Sequence, residues 1–337
     1  MFHLPRIATT LAAAAIAVTS GLGTARAEPV EILNVSYDIA RELYAKVNPV
    51  FIEHWKTETG DDLTVNQSHA GSSKQARAIL QGLQADLVTF NQVTDVQVLA
   101  DRGFVAEDWK TRFGNNASPY YSLPAFMVRG GNPKDIQDWD DLIRDDVTLV
   151  FPNPKTSGNG RYTYLAAYAY ALQKYDGDDA QARGFVDKLL ANVEVFDTGG
   201  RGATTTFVER NIGDVLITFE AEVENIRQAE DEGAYDRVVP SLSLLAEFPV
   251  AVVDRVAEKR GTVDVASAYL DFLYSTEGQE ILASFNNRVH DEAVVEANAD
   301  KFPEVDLVTV EDVFGGWDAA METHFASGGV LDDLLAN

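Results

Sequence analysis

The 337-residue chain contains no cysteine, which excludes disulfides, thiolate catalysis and cysteine-ligated zinc or iron–sulfur centres. It is also poor in positive charge: 27 Lys and Arg stand against 53 Asp and Glu, for a net charge of -26. A polyanion seeking a basic face would meet net repulsion, so no nucleic-acid partner is expected. Histidine is scarce, and His54, His69, His290 and His324 are scattered without metal-ligand spacing, so no metal and no other cofactor is expected. The Gly-x-Ser-x-Gly elbow, the His-Glu-x-x-His pair and the phosphate-loop signature are all missing, which argues against an enzyme. After the amino terminus, no apolar run approaches the roughly 20 residues that a membrane-spanning helix needs.

What is present suits a folded protein: 46% hydrophobic residues, 24% charged and 10% aromatic. At roughly 150 residues per domain, the length predicts about two domains. The amino terminus places Arg6 before an apolar stretch from Ile7 to Val18, followed by Thr24-Ala25-Arg26-Ala27 with small residues where a signal peptidase reads. Residues 1–27 are therefore expected to be a signal peptide cleaved after Ala27. Cleavage removes two arginines and no acid, moving the net charge from -26 to -28.

Beyond residue 27, short β-branched runs alternate with longer amphipathic stretches, the pattern of an α/β protein with mostly parallel sheets. Residues 31–36 predict a strand, and Leu43, Val47, Phe51 and Trp55 fall at helical spacing behind it. The same order recurs at residues 62–66 before a helix from about Ser73, and at 147–151 before a helix from about Gly158. A fourth strand, 193–196, precedes a glycine-rich turn. Tyr162, Tyr164, Tyr168 and Tyr170 suit the packing face of the third helix.

Four loops each join small residues and a hydroxyl or capping residue to an expected helix start. They are Ser36 to Asp38, Ser68 to Lys74, Pro152 to Gly160 and Asp197 to Thr204. Helix amino termini carry unpaired N–H groups and partial positive charge, so several converging would hold an anion without a basic side chain. Such chemistry suits a fully ionised tetrahedral oxyanion.

At these loops the sequence resembles the sulfate-binding proteins of bacterial ABC importers, a branch of the type II periplasmic binding proteins. The resemblance rests on Leu33-Asn-Val-Ser-Tyr-Asp38, Gln67-Ser-His-Ala-Gly-Ser72, Pro152-Asn-Pro-Lys155 with Ser157-Gly158, Thr206-Phe-Val-Glu-Arg210 and Val313-Phe-Gly-Gly-Trp317, and it covers essentially the whole chain after residue 27. It implies a two-lobed α/β fold with a ligand cleft between lobes, and a monomeric, periplasmic receptor that delivers sulfate or thiosulfate to a membrane ABC permease. By position it implies backbone N–H contacts from Asp38, Ser72, Gly158, Asn159 and Gly200 and a hydroxyl contact from Ser157. It also implies that Lys74, Arg161, Arg201 and Arg210 pair with carboxylates instead of touching the ligand. The lobes are expected to comprise residues 28–91 with 222–337, and 92–221, with the carboxy-terminal helices able to cross back onto the second.

One position departs from the family pattern. Where the family places a tryptophan whose indole N–H contacts the anion, this chain has Phe219, with no N–H to give. Thr218, a water or a rearranged side chain is expected to take its place. This departure keeps another tetrahedral oxyanion, such as thiosulfate, molybdate or phosphate, open as the ligand. Asn159 and Ser73 also stand where the family has glycine, adding side chains to the cleft. A site of donors alone prefers sulfate to phosphate, because phosphate retains a proton that needs an acceptor.

Overall fold

The computed structural model describes residues 30–336; the expected leader, residues 1–27, lies outside the described residues. The first sheet is built on β1 (Val30–Ser36), parallel to β2 (Leu63–His69) on one side and β3 (Leu87–Thr89) on the other. A fourth strand, Val250–Val252, returns from far along the chain to pair antiparallel with β3. The register sets Ser36 opposite both His69 and Thr89, so the strands finish together. Ile32, Val35, Leu87 and Val88 are fully buried, as expected of a sheet covered by helices on both faces.

The helix Arg41–Thr59 follows β1 and turns Leu43, Tyr44, Val47 and Phe51 inward, a stripe at three- and four-residue spacing that packs it onto the core. Phe51 meets Tyr269 edge to face at 4.9 Å. Gly60 ends the helix at φ +81°, its N–H returning to Lys56 O, a left-handed cap that favours glycine.

The chain passes through β4 (Tyr120–Ser122) and enters the second sheet at β5 (Pro124–Arg129). The remaining strands are β6 (Leu149–Pro152), β7 (Val193–Asp197), β8 (Val215–Phe219) and β9 (Tyr235–Val238), in spatial order β7-β6-β8-β5-β9. Strand β6 runs parallel to β7 and β8, while β5 is antiparallel to β8 and β9. Pairing of β4 with Ala246–Glu247 and Arg288–Val289 forms a small antiparallel sheet where the chain passes between the two large ones.

Several contacts lie close to the expected boundaries at 91/92 and 221/222. The helix Val93–Asp101 stays with the first sheet, where Ser73 Oγ donates to Asp95 Oδ1 at 2.8 Å. Segment 105–112 is tied there too, by Ala106 N to Asp254 and by an Arg112–Asp254 ion pair at 2.6 Å. In the other direction, the second sheet extends past residue 221 to its edge strand β9. The carboxy-terminal helices contact segment 155–162: Trp317 packs edge to face on Tyr162 at 5.1 Å, and Lys155 Nζ reaches Asp332 Oδ1 at 2.8 Å. His324 closes this contact from within an aromatic cluster, its Nδ1 3.1 Å from Tyr164 Oη. Burial holds its pKa down at about 4, so the ring is neutral at physiological pH.

Candidate functional site

In open parallel sheets, ligands bind beyond the carboxyl ends of the strands. Here the four loops singled out in the sequence are those that leave β1, β2, β6 and β7, and they meet in a cleft with the segments that follow β3 and β8.

The helix starts at this cleft leave their amides free. Ser72–Leu80 begins behind Gly71 and the turn Gly200–Thr204 behind Gly199, neither of which supplies a side-chain cap. The short Asp38–Ala40 turn is likewise uncapped by Tyr37. Ser157 does cap the helix Gly158–Lys174, but its Oγ accepts from Gly160 N at 3.4 Å and leaves the two preceding amides alone. Among the described residues, the N–H groups of Asp38, Ser72, Gly158, Asn159 and Gly200 have no acceptor. Helices elsewhere show the contrast, as Asp178 and Asp291 each accept two first-turn amides. A helix start without a cap exposes donors and a partial positive charge to whatever lies in front of it.

Close approaches tie these starts together. A methyl built on Gly199 would stand 3.1 Å from Asp38 Oδ2, and one on Gly200 would stand 3.5 Å from Ile39 and 3.6 Å from Asn159 Nδ2. Gly158 faces the first sheet in the same way, 3.0 Å from Asn91 Oδ1. Asn91 in turn accepts from Ser72 Oγ at 2.7 Å and donates its own N–H back to that oxygen at 3.2 Å. The structure thus brings Asp38, Ser72, Ser157, Gly158, Asn159 and Gly200 to one place.

The first loop is rigidly held. His69 Nδ1 lies 3.0 Å from Tyr37 O and its Nε2 2.5 Å from Gln67 Oε1, and burial lowers its pKa. Gln75 Nε2 reaches Ser36 O at 3.3 Å. Behind the loop, the hydroxyl of Tyr120 joins those of Tyr37 and Tyr44 at 3.2 and 3.1 Å, and burial pushes all three phenols up. Asp38 spends one carboxylate oxygen on Ile39 N at 3.0 Å.

Phe219 ends β8 as a buried packing residue. Its ring lies edge to face against Phe248 at 5.1 Å and Tyr162 at 6.0 Å. The residue before it is polar and equally buried: Thr218 Oγ1 accepts from Asn159 Nδ2 at 2.8 Å. That bond uses the oxygen as acceptor and leaves the Thr218 hydroxyl proton for a second partner. Glu220, fully buried, is neutralised by Arg288 at 2.7 Å and Arg237 at 3.4 Å. Glu222 accepts from Thr204 Oγ1 at 3.2 Å, and burial raises its pKa to about 7, with Asp38 and Glu42 adding to the rise.

A family model described as bacterial extracellular solute-binding protein matches residues 39–285. The chain belongs to this family. It is 55% identical over 321 residues to the thiosulfate-binding protein of Escherichia coli (strain K12), covering 95% of each chain. It is 48% identical over 308 residues to the sulfate-binding protein of Salmonella typhimurium, covering 91% of this chain and 94% of that one. Among solved structures, the sulfate-binding protein SubI from Mycobacterium tuberculosis H37Rv superposes with a TM-score of 0.79 at 32% identity, over 87% of this chain and 98% of that one. The two-lobed α/β architecture of periplasmic binding proteins expected from the sequence is the fold this family member adopts.

Two features of the cleft escaped sequence reasoning. The flanking cations were expected to pair with carboxylates; of Lys74, Arg161, Arg201 and Arg210, only Arg201 does so among the described residues, with Glu42 at 3.1 Å. Arg161 is buried with Nε unpartnered, and Asp95 supplies its nearby opposing charge. The Asn91-Gln92 pair, just beyond β3, has no site role in the sequence reading, which sets only a lobe boundary between the two residues. Its polar character directly after a buried strand was the available signal.

Proposed function

We propose that this protein is an extracytoplasmic receptor that binds sulfate or thiosulfate between its lobes and hands it to a membrane ABC permease. The observation that carries the reading is the meeting of uncapped helix starts, with N–H groups at Asp38, Ser72, Gly158, Asn159 and Gly200 lacking acceptors in one cleft. Hydrogen bonds to a charged acceptor contribute about 1.5–3 kcal/mol each, so five or six such donors offset much of the cost of dehydrating a dianion. In this reading the Ser157 hydroxyl is a further donor, and Thr218 supplies the hydroxyl that replaces the indole N–H absent at Phe219. The names of the thiosulfate- and sulfate-binding relatives support both ligands.

The receptor is not an enzyme in this reading, and it works as an exported, periplasmic monomer cleaved after Ala27. The lobes move about the small sheet where β4 pairs with Ala246–Glu247. Binding draws donors from both lobes onto one anion and so favours the closed state. Isothermal titration of the chain from residue 28, dialysed free of anion, against sulfate, thiosulfate, molybdate and phosphate tests the reading. Tight binding of sulfate or thiosulfate with phosphate silent is expected. Silence toward both sulfur oxyanions would sink it.

A further inference from the structure

Gln92 follows Asn91 at the end of β3 and is fully buried, yet neither its Nε2 nor its Oε1 has a hydrogen-bond partner among the described residues. Burying both ends of an amide without partners is costly, and such groups in folded proteins are normally satisfied. Its position is informative. The preceding residue, Asn91, holds the Ser72 hydroxyl, and a methyl on Gly158 would stand 3.1 Å from both Gln92 Cβ and Gln92 Oε1. The amide therefore sits against the helix start at Gly158, and its neighbour Asn91 against the helix start at Ser72. An amide rotated about its last bond exchanges donor and acceptor at the same place, so the NH2 group can face the cleft without movement of the backbone.

We propose that the Gln92 side-chain amide is a direct donor to the bound oxyanion, an affinity-determining contact in addition to the backbone amides. The inference rests on the oxyanion-receptor reading above. It explains why a polar side chain without a partner among the described residues occupies a buried position: the anion is its partner. A side-chain donor also differs from a backbone donor in being removable by substitution without altering the helix start.

Titration calorimetry of wild type and Gln92→Met with sulfate and with thiosulfate tests it, combined with thermal melts without anion. Methionine keeps the unbranched shape and removes both polar atoms. Loss of one hydrogen bond to a charged group should weaken binding roughly ten- to hundredfold, while the anion-free melting temperature stays level or rises because two orphaned atoms are gone. Unchanged affinity for both anions in Gln92→Met overturns the inference while leaving the receptor reading intact; wild type silent toward both overturns the two together. If the variant does not fold, the side-chain NH2 resonances of Gln92 in wild type serve instead. A large shift on saturation with thiosulfate or sulfate is expected, and no shift with either overturns the contact.

Discussion

Arg201 on the second lobe reaches across the cleft to Glu42 at the start of the first lobe's long helix, with Nη2 3.1 Å from Oε2. Both side chains are more than half exposed, 53% and 58%, so the pair is a screened surface latch and not a buried anchor. Exposed ion pairs contribute up to about 1 kcal/mol. Arg201→Ala should therefore weaken anion binding about two- to fivefold, mostly through faster release, and the deficit should shrink in roughly 1 M salt. Stopped-flow release kinetics at low and high salt check this; a deficit that grows with salt would contradict the latch.

Gly158 leaves little room for a side chain, because a methyl there meets Asn91 Oδ1 at 3.0 Å and Gln92 at 3.1 Å and must push one of them aside. Its amide precedes a helix that begins on the second lobe, whereas Asn91 and Gln92 end a strand of the first. Gly158→Ala should hold the lobes apart, lowering anion affinity at least about tenfold, which corresponds to about 1.4 kcal/mol. Each lobe's own packing should survive, so the anion-free melting temperature should change little. Small-angle scattering should show less compaction on adding anion than in wild type.

Phe219 is 1% exposed and wedged between Tyr162 and Phe248, so a tryptophan there must overpack the cluster. Phe219→Trp is expected to cost about 1–3 kcal/mol of stability and to bring no gain in affinity. Thr218→Val, by contrast, keeps shape, removes the hydroxyl and should weaken binding about tenfold or more, the loss of a bond to a charged partner. Parallel titrations of the two variants decide. Tighter binding by Phe219→Trp would mean that Thr218 does not replace the indole.

Glu222 carries a pKa raised from 4.5 to about 7, first by burial and then by Asp38 and Glu42. Its folded-state pKa lies above its unfolded value, so the stability it contributes is complete below about pH 4.5 and is lost as pH rises through about 7. The same ionisation adds a negative charge on the helix that leaves the cleft. Affinity for a dianion should therefore fall a few-fold between pH 6 and 8. Glu222→Gln should flatten both the stability loss and the affinity profile, read by melts and titrations across that range. Persistence of both slopes in the variant would assign them to another group.

Much of the local structure was legible in the residues themselves. The strand expected at 31–36 is β1, that at 193–196 is β7, and the helix expected from Gly158 begins there behind its Ser157 cap. These depend on period, capping and turn chemistry, which act over a few residues. The four small-residue loops were legible for the same reason, as each is a strand end followed by small residues and a helix start. The sheet to which a distant segment attaches was not. Whether Val93–Asp101 or Tyr235–Val238 joins one sheet or the other depends on partners distant in the chain, and local pattern carries no information about them.

By itself, the sequence determined the function classes open to this protein: without cysteine, metal spacing or a catalytic signature, and with paired strand–helix units ending in small polar loops, it was a candidate anion receptor. Tertiary structure alone decided which donors share a cleft, that Asn159 bonds to Thr218, that Arg201 meets Glu42, and that Gln92 is buried without a partner among the described residues. The physical reason is range. Helix and strand formation are settled by neighbours along the chain, whereas a binding site is settled by which helix ends two folded lobes bring face to face.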